Sequence, residues 1–151
     1  MSESKSERKV AVIFATDVVG YSTMMEKNED QTLKNLKSCR NIIEGLIKEY
    51  HGRIFNTAGD SVLAEFQSAV EAVICASEFQ KTIKERNNSV GEEEQMQFRV
   101  GINFGDVVIE GENLYGEGVN VAARLEALAQ PGGICLSRNV HEIVNKKTDF
   151  E

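Results

Sequence analysis

A short, fully apolar run near the start of the chain most restricts the fold. Residues 10–15 read VAVIFA, and the run ends at Thr16 and Asp17. An apolar run of this length, rich in β-branched side chains and without polar alternation, is typical of a strand that is buried on both faces. The sequence therefore predicts that residues 9–15 form a strand in the interior of a sheet.

The rest of the chain divides into strand and helix patterns, which are identified by hydrophobic period and by turn residues. Gly59 and Asp60 are a hairpin signal, and Ser68 with Glu71 forms a capping box at the start of a helix. After the first strand, the predicted elements are a short helical turn opened by Gly20, a helix at 29–50, strands at 53–58 and 61–66, a helix from Ser68, a solvated loop at 87–95, a hairpin of 96–103 and 106–110 that turns at Phe104 and Gly105, a glycine-rich loop at 111–118, a third long helix that ends at 131–133, a strand at 134–136 and a helix at 137–146.

The order of these elements indicates the fold class. The first four strands and two long helices follow the order β-α-β-β-α-β, which is the ferredoxin-like plan, with a further hairpin strand and a C-terminal strand and helix added. The fold class is therefore α+β. A chain of 151 residues is enough for one domain. We expect residues 1–8 to be a disordered polar tail and residues 9–151 to form the domain.

The composition excludes several classes of function. The chain has 17 Lys and Arg against 24 Asp and Glu, a net charge of −7, whereas nucleic-acid binding needs a basic surface. Cys39, Cys75 and Cys135 are widely spaced and odd in number, which is typical of free thiols in a reducing compartment. No apolar run approaches the roughly 20 residues of a membrane span. We therefore expect a cytoplasmic location, no nucleic-acid partner and no membrane segment in this chain.

Two aspartates that are distant in the sequence are brought together by the ferredoxin-like plan. The first strand is antiparallel to the third, so Asp17 at the end of one meets Asp60 at the start of the other. Paired carboxylates repel unless a cation lies between them, and Mg²⁺ binds one or two carboxylates together with substrate phosphates. Each aspartate alone is an ordinary cap or turn residue. Together with the amides of Gly20, Tyr21 and Ser22 at a helix start, they favour a metal–phosphate site.

A second polar group lies on the third long helix. Asn120 and Arg124 are one turn apart in the segment VNVAARLEAL and share a helix face. The pattern predicts that Val121, Leu125 and Leu128 form a separate apolar stripe on the helix. Spacing alone leaves open whether Asn120 and Arg124 form a functional pair or a solvated one.

At four places the chain resembles the class III purine nucleotide cyclases, which are the catalytic domains of adenylate and guanylate cyclases. The matching stretches are FATDVVGYS at 14–22, NTAGDSVLAEF at 56–66, RVGINFGD at 99–106 and YGEGVNVAARLE at 115–126. They span nearly the whole chain in the order that the family has. The resemblance implies a head-to-tail homodimer with active sites at its interface, and conversion of ATP into cyclic AMP and pyrophosphate.

The resemblance also implies roles for individual residues. Asp17, Asp60 and the backbone carbonyl of Val18 in one protomer would bind two Mg²⁺ or Mn²⁺ ions. Asn120 and Arg124 of the other protomer would orient the ribose and stabilise charge on the α-phosphate, a role that suits the planar, permanently charged guanidinium. The amides of residues 20–22 would bind phosphate.

The base-selecting positions differ from both branches of the family. Asn56 stands where adenylate cyclases usually have Lys, and Asn113 where they have Asp or Thr. Guanylate cyclases typically have Glu and Cys there. A carboxamide both donates and accepts hydrogen bonds, so either purine can be accommodated. The absence of Glu and Cys favours ATP, with GTP as the alternative.

Two gaps in the family pattern favour a different class of function. Residues 108–113 contain no Lys or Arg, and the chain stops at residue 151, where relatives continue into a last β-hairpin that carries a phosphate-binding Lys. We therefore expect a piece of a longer protein, and the alternative function is a catalytically weak or silent regulatory domain that dimerises. Diguanylate cyclases, palm-type polymerases and RNA-recognition motifs share the topology, but their sequence motifs are missing.

Overall fold

A computed structural model of the chain describes residues 7–147, and its first element is the predicted interior strand. Strand β1 (Glu7–Val18) is buried from residue 11 to residue 16. Its even-numbered side chains enter one core and its odd-numbered side chains enter another, so the prediction of burial on both faces is confirmed. The strand begins at Glu7, two residues earlier than expected, because Glu7 and Arg8 pair with Ile109 and Val108. Residues 1–6 of the predicted tail lie outside the described residues.

The predicted α+β fold class is confirmed. The other elements are α1 (Tyr21–Lys27), α2 (Glu29–Glu49), β2 (Arg53–Ala58), β3 (Ser61–Phe66), α3 (Ala69–Asn88), β4 (Phe98–Glu110), β5 (Asn113–Tyr115), α4 (Glu117–Leu128), β6 (Ile134–Leu136) and α5 (Arg138–Lys147). The sheet has the order β2-β3-β1-β4-β5, and β6 pairs with β4 in parallel. The first four strands therefore have the ferredoxin-like order, with β5, β6 and α5 as additions.

Helices cover both faces of this sheet. On one face, α2, α3 and α5 pack on a large core around Phe14, Phe66 and Phe79. On the other face, α4 packs on a smaller core that contains Ile13 and Val107. Because β1 and β4 are central to the sheet, the residues at their ends lie between the two layers.

Strand β4 corrects the predicted second hairpin. The sequence places a turn at Phe104 and Gly105, but β4 is continuous and pairs with β1 through both residues. The close approach of α4 depends on Gly118, where a Cβ would lie 2.5 Å from the carbonyl oxygen of Asp106, whereas a Cβ at Gly105 would make only an ordinary contact of 3.4 Å with Gly118. The reversal comes later, at Gly111, whose φ is +61°. The predicted glycine-rich loop therefore contains a short strand, β5.

Helix α4 corrects the predicted apolar stripe. Its buried residues are Gly118, Val119, Ala122 and Glu126, whereas Leu128 is 73% exposed and Val121 and Leu125 are only partly buried. A Cβ at Gly101 of β4 would lie 2.5 Å from the carbonyl oxygen of Ala122, so helix and strand pack backbone against backbone. Only small side chains fit along most of this contact.

The predicted bounds of three strands and the predicted cap of α3 are confirmed. The bounds of β2, β3 and β6 are those expected, and the Ser68 hydroxyl accepts the Glu71 amide hydrogen at 3.1 Å. Cys39 and Cys75 are fully buried, and all three cysteines are free. Within residues 7–147, no helix combines the length and the apolar character that crossing a membrane requires. Residues 148–151, after which the sequence analysis expects the family's last β-hairpin to be missing, lie outside the described residues.

Candidate active site

The structure brings Asp17 and Asp60 to the same edge of the sheet. Strands β1 and β3 are antiparallel, with Thr16 opposite Val62. The backbone amide of Val18, next to Asp17, donates a hydrogen bond of 2.9 Å to Oδ2 of Asp60. Two carboxylates from distant parts of the sequence are therefore held beside each other by the pairing of the strands that carry them.

The turn that carries Asp60 is held from two sides. Gly59 has a φ of +58°, a left-handed conformation that favours glycine in this tight turn. The Arg40 guanidinium on α2 donates to the carbonyl oxygen of Gly59 at 2.8 Å. The position of Asp60 thus depends on the hairpin and on a helix that precedes it in the chain.

Two charged residues complete this edge, and the sequence analysis assigned neither of them a function. Nη2 of Arg99 lies 3.5 Å from Oδ1 of Asp17 and 3.5 Å from Oε2 of Glu126. Arg99 is opposite Asp17 in the β1–β4 pairing, and Glu126 lies on the buried face of α4. A signal for Glu126 was present, since Gly118, Ala122 and Glu126 are four residues apart and define one helix face.

The charges of this cluster interact strongly. Burial raises the pKa of Glu126 to about 8, and the nearby carboxylates of Asp17 and Asp60 act in the same direction. The positive charge of Arg99 opposes this effect. The edge therefore carries more negative charge than one guanidinium balances.

The donor set at this edge fits a divalent cation that also contacts a substrate. Oδ1 of Asp17 is buried and has no hydrogen-bond partner among the described residues. Over residues 7–147, no three His, Cys, Asp or Glu side chains are grouped in a way that could hold a metal ion. Two carboxylates with open positions are what Mg²⁺ uses when substrate phosphates supply the other oxygen ligands.

The predicted phosphate-binding segment follows β1. The amide of Val19 donates to the carbonyl of Gln97 at 2.8 Å, and Gly20, with a φ of +70°, precedes α1. The Tyr21 side chain packs against the large core, whereas Gly20 and Ser22 are exposed. The backbone of this segment is thus anchored beside Asp17.

Asn120 and Arg124 lie on the outer side of α4. Both side chains are exposed, and Nη2 of Arg124 is 3.6 Å from Oε2 of Glu117, which is also exposed. Glu126, by contrast, lies on the inner side of the same helix and faces Asp17 through Arg99. Within one chain, helix α4 therefore separates Asn120 and Arg124 from the aspartate edge.

The two predicted base-selecting residues lie on strands that approach each other. Asn56 follows a bulge in β2, and Asn113 begins β5. The Nδ2 atom of Asn113 donates to the Tyr115 hydroxyl at 3.0 Å, and its Oδ1 accepts the Leu114 amide hydrogen at 2.8 Å. Nη1 of Arg53 on β2 donates to the carbonyl of Glu112 at 2.8 Å, which joins the β4–β5 turn to β2.

Comparison with known proteins agrees with this fold. The family model described as adenylate and guanylate cyclase catalytic domain matches residues 2–151. A Rhizobium meliloti (strain 1021) protein named "Putative adenylate cyclase 3" is 43% identical over 152 residues, which are 100% of this chain and 26% of the relative. An adenylate cyclase of Streptomyces coelicolor is 30% identical over 128 residues, 84% of this chain and 32% of the relative.

Solved structures show the same similarity. A crystal structure of an adenylate/guanylate cyclase/hydrolase from Silicibacter pomeroyi has 41% identity to this chain and a TM-score of 0.87, and the match covers 95% of this chain and 84% of that one. The chain spans about a third or less of the length of the two curated relatives.

Proposed function

The chain belongs to the family of adenylate and guanylate cyclase catalytic domains, and on that basis we propose that it converts ATP into 3′,5′-cyclic AMP and pyrophosphate at the interface of a head-to-tail homodimer. The observation that carries the proposal is the arrangement around α4. The aspartate edge lies on the inner side of this helix, and Asn120 and Arg124 are exposed on its outer side.

That separation favours a site shared by two copies of the chain. The aspartates of one protomer and the Asn120–Arg124 pair of its partner would face the same nucleotide, and a twofold axis would generate two such sites. The exposed side chain of Leu128 on α4 and the half-exposed ring of Tyr115 on β5 supply apolar surface for an interface.

On the first protomer, the carboxylates of Asp17 and Asp60 and the backbone carbonyl of Val18 would hold two Mg²⁺ or Mn²⁺ ions. When bound, the ions lower the pKa of the ribose 3′-hydroxyl and neutralise the triphosphate. The amides of Gly20, Tyr21 and Ser22 follow directly in the chain and would donate hydrogen bonds to phosphate oxygens.

On the second protomer, Asn120 would orient the ribose so that its 3′-oxygen is in line with the α-phosphorus and the leaving pyrophosphate. Arg124 would stabilise the negative charge that develops on the α-phosphate oxygens. Its exposed ion pair with Glu117 is weak and easily exchanged for a phosphate. The reaction forms the O3′–Pα bond, breaks the bond from Pα to the bridging oxygen of the leaving pyrophosphate, and releases the proton of the 3′-hydroxyl.

Asn56 and Asn113 are the proposed base-selecting residues. Both relatives described above carry the adenylate cyclase name, which supports ATP as the substrate. The hydrogen bonds of Asn113 to Tyr115 and Leu114 restrict its carboxamide orientation. GTP is the competing substrate, because a rearranged carboxamide can match guanine. A role in cytoplasmic signalling follows from the proposed product.

A catalytically silent regulatory domain is the second candidate. The segment of residues 108–113 has no Lys or Arg and carries Glu110 and Glu112, so it offers no positive charge to a triphosphate. A domain of this kind would dimerise and be stabilised by nucleotide with metal, but it would form no cyclic product.

The test is incubation of the purified protein with Mn²⁺ or Mg²⁺ and either ATP or GTP, with cyclic nucleotide and pyrophosphate measured by mass spectrometry. We expect cyclic AMP from ATP, and its loss in the Asp17→Ala variant, which controls for contaminating enzyme. Cyclic GMP alone would overturn the substrate. A folded, nucleotide-stabilised dimer without product from either nucleotide would favour the regulatory domain.

A further inference from the structure

One arginine joins the two edges of the sheet. Arg53 lies on the edge strand β2, and its Nη1 atom donates a hydrogen bond of 2.8 Å to the carbonyl oxygen of Glu112, in the turn between β4 and β5 at the opposite edge. In a flat sheet, β2 and β5 would be about 19 Å apart. Here Cα atoms of the two strands approach within 8 Å of each other. The sheet is therefore strongly twisted, and the Arg53–Glu112 hydrogen bond connects its edges.

The rest of the Arg53 guanidinium is anchored within the sheet. Its Nε and Nη2 atoms donate to Oε1 of Glu65 at 2.9 and 2.6 Å, and Glu65 lies opposite Arg53 in the β2–β3 pairing. Nζ of Lys9 on β1 is 2.9 Å from Oε2 of the same carboxylate. Partial burial opposes ionisation of Glu65, but the hydrogen bonds and charges of Lys9 and Arg53 outweigh it and lower the pKa of Glu65. A planar guanidinium held in this way is a stiff connection.

The two ends of this connection lie next to the proposed base-selecting residues. Arg53 is three residues before Asn56 on β2, and Glu112 directly precedes Asn113, the first residue of β5. Strand β5 has only three residues and follows Gly111, whose φ is +61°. A short edge strand makes few ladder hydrogen bonds and opens readily. The distance between β5 and β2 therefore depends on contacts outside the ladder, and Arg53 supplies one.

The orientation of the Asn113 carboxamide is restricted separately. Its Nδ2 atom donates to the Tyr115 hydroxyl and its Oδ1 accepts from the Leu114 amide, which leaves one N–H and one lone pair for a ligand. Adenine presents an acceptor nitrogen beside an amino group, whereas guanine presents an N–H beside a carbonyl oxygen. Hydrogen bonds need donor–acceptor distances of about 2.7–3.2 Å. An oriented carboxamide therefore discriminates between these edges only if its distance from Asn56 is fixed as well.

We propose that Arg53 is a positioning residue that holds Asn113 at a fixed distance from Asn56, so that the site discriminates between adenine and guanine. The inference rests on the proposed function in taking Asn56 and Asn113 as the base-selecting residues. Without the Arg53–Glu112 hydrogen bond, β5 moves relative to β2, and the two carboxamides adapt to either base.

The test is isothermal titration calorimetry with Mg²⁺ and either 3′-deoxy-ATP or 3′-deoxy-GTP, which lack the attacking hydroxyl and report binding without turnover. In Arg53→Met, we expect the ratio of the two dissociation constants to move about tenfold towards one, the contribution of one hydrogen bond. Arg53→Lys should show the same change, because one ammonium can keep the Glu65 ion pair but lacks the planar fork that also reaches Glu112. Lys9→Met is the matched control. It removes the other cation at Glu65 and should leave the ratio unchanged.

Asn113→Ala provides the second comparison. It removes the carboxamide that Arg53 positions, so it should also move the ratio towards one, and Arg53→Met added to it should change the ratio no further. A merely structural role of Arg53 predicts instead that both affinities fall together and that their ratio stays constant. Circular dichroism melting verifies folding. If Arg53→Met does not fold, Arg53→Lys provides the result, since it keeps the ion pair with Glu65.

The outcomes separate this inference from the proposed function. An unchanged ratio in Arg53→Lys, or an equal change in Lys9→Met, would overturn the inference while cyclic nucleotide formation by the wild type still upheld the function. A wild type that binds both nucleotides equally would also overturn the inference, because there would be no discrimination for Arg53 to maintain. A wild type that binds neither nucleotide and forms no cyclic product would overturn both.

Discussion

The backbone amide of Val18 donates a 2.9 Å hydrogen bond to Oδ2 of Asp60. This bond joins the end of β1 to the start of β3, so the carboxylate of Asp60 is positioned by the main chain next to Asp17. Asp60 is therefore a hydrogen-bond acceptor within the fold and, in the proposed function, a charged metal ligand.

Substitution of Asp60 should separate these roles. Asp60→Asn keeps an oxygen that can accept from Val18, so we expect a melting temperature close to that of the wild type with cyclic nucleotide formation reduced by at least about 100-fold. Asp60→Ala should reduce cyclic nucleotide formation to the same extent. It should also lower the free energy of unfolding by about 1–2 kcal/mol, because the hydrogen bond from Val18 is lost. Activity in Asp60→Asn equal to that of the control Asp30→Asn, an exposed aspartate on α2, would contradict the metal role.

Mixing two inactive variants should restore activity. If Asp17 and Arg124 of different protomers share a site, a mixture of Asp17→Ala and Arg124→Ala contains heterodimers in which one site has both wild-type residues. Random association should then give about a quarter of the wild-type rate. The measurement is cyclic nucleotide formation before and after equal amounts are mixed and equilibrated. Native mass spectrometry of the mixture verifies subunit exchange, because the heterodimer of Asp17→Ala and Arg124→Ala differs in mass from both homodimers. A mixture as inactive as its components would show that one chain supplies both residues.

Glycine at position 101 should be indispensable for the packing of α4. A Cβ there would lie 2.5 Å from the carbonyl oxygen of Ala122, and a backbone atom cannot move aside as a side chain can. We expect Gly101→Ala to reduce the free energy of unfolding by about 3 kcal/mol. The matched variant Gly45→Ala on α2, where a Cβ meets nothing within 4 Å, should raise it by about 0.5–1 kcal/mol. Urea unfolding compares the two, and equal effects would contradict the close packing.

The raised pKa of Glu126 should make the stability of the metal-free protein depend on pH. The folded state binds this proton up to about pH 8, whereas the unfolded state releases it near 4.5. The free energy of unfolding should therefore fall between these values as pH rises, by up to about 1 kcal/mol per unit, and this contribution should be constant outside them. Urea unfolding in EDTA at pH 5, 6.5 and 8 should show a smaller fall in Glu126→Gln. Parallel profiles for the two proteins would contradict the raised pKa.

The buried thiols should resist modification. Cys75 is fully buried, and burial, with a smaller effect from the charge of Glu49, raises its pKa to about 12. Burial also raises the pKa of Cys39. Since the thiolate is the reactive form, native protein at pH 8 should incorporate iodoacetamide at Cys135, which is partly exposed. Peptide mass spectrometry locates the label, and equal labelling at Cys75 would contradict its burial.

Elements whose signals are local could be predicted well. The turn at Gly59 and Asp60 and the cap at Ser68 depend on residues within a few positions of each other. The turn predicted at Gly105 was wrong because a glycine has the same local appearance in a turn and in a strand. Here Gly105 lies within a strand, opposite Ala11, and that pairing joins residues that are distant in the chain.

The site was predicted in part for the same reason. Asp17, Asp60, Asn120 and Arg124 lie in motifs that are recognisable in the sequence, and the α+β order implied that the two aspartates meet. Arg99 and Glu126 received no role, because the burial of a charge depends on what packs over it. The spacing of Gly118, Ala122 and Glu126 marks one helix face but does not tell which element covers that face. The apolar pattern of Val121, Leu125 and Leu128 even indicated the wrong face of the helix.

The sequence by itself determined the order of strands and helices, the family and the positions of its motifs, because these depend on short-range periodicity and residue type. The tertiary structure decided which face of α4 is buried, that Arg99 lies between two carboxylates, and that Asn120 and Arg124 are separated from the aspartate edge of the same chain. Those features arise from backbone-to-backbone packing of α4 on β4, where the space left by Gly101 and Gly118 sets the orientation of the helix.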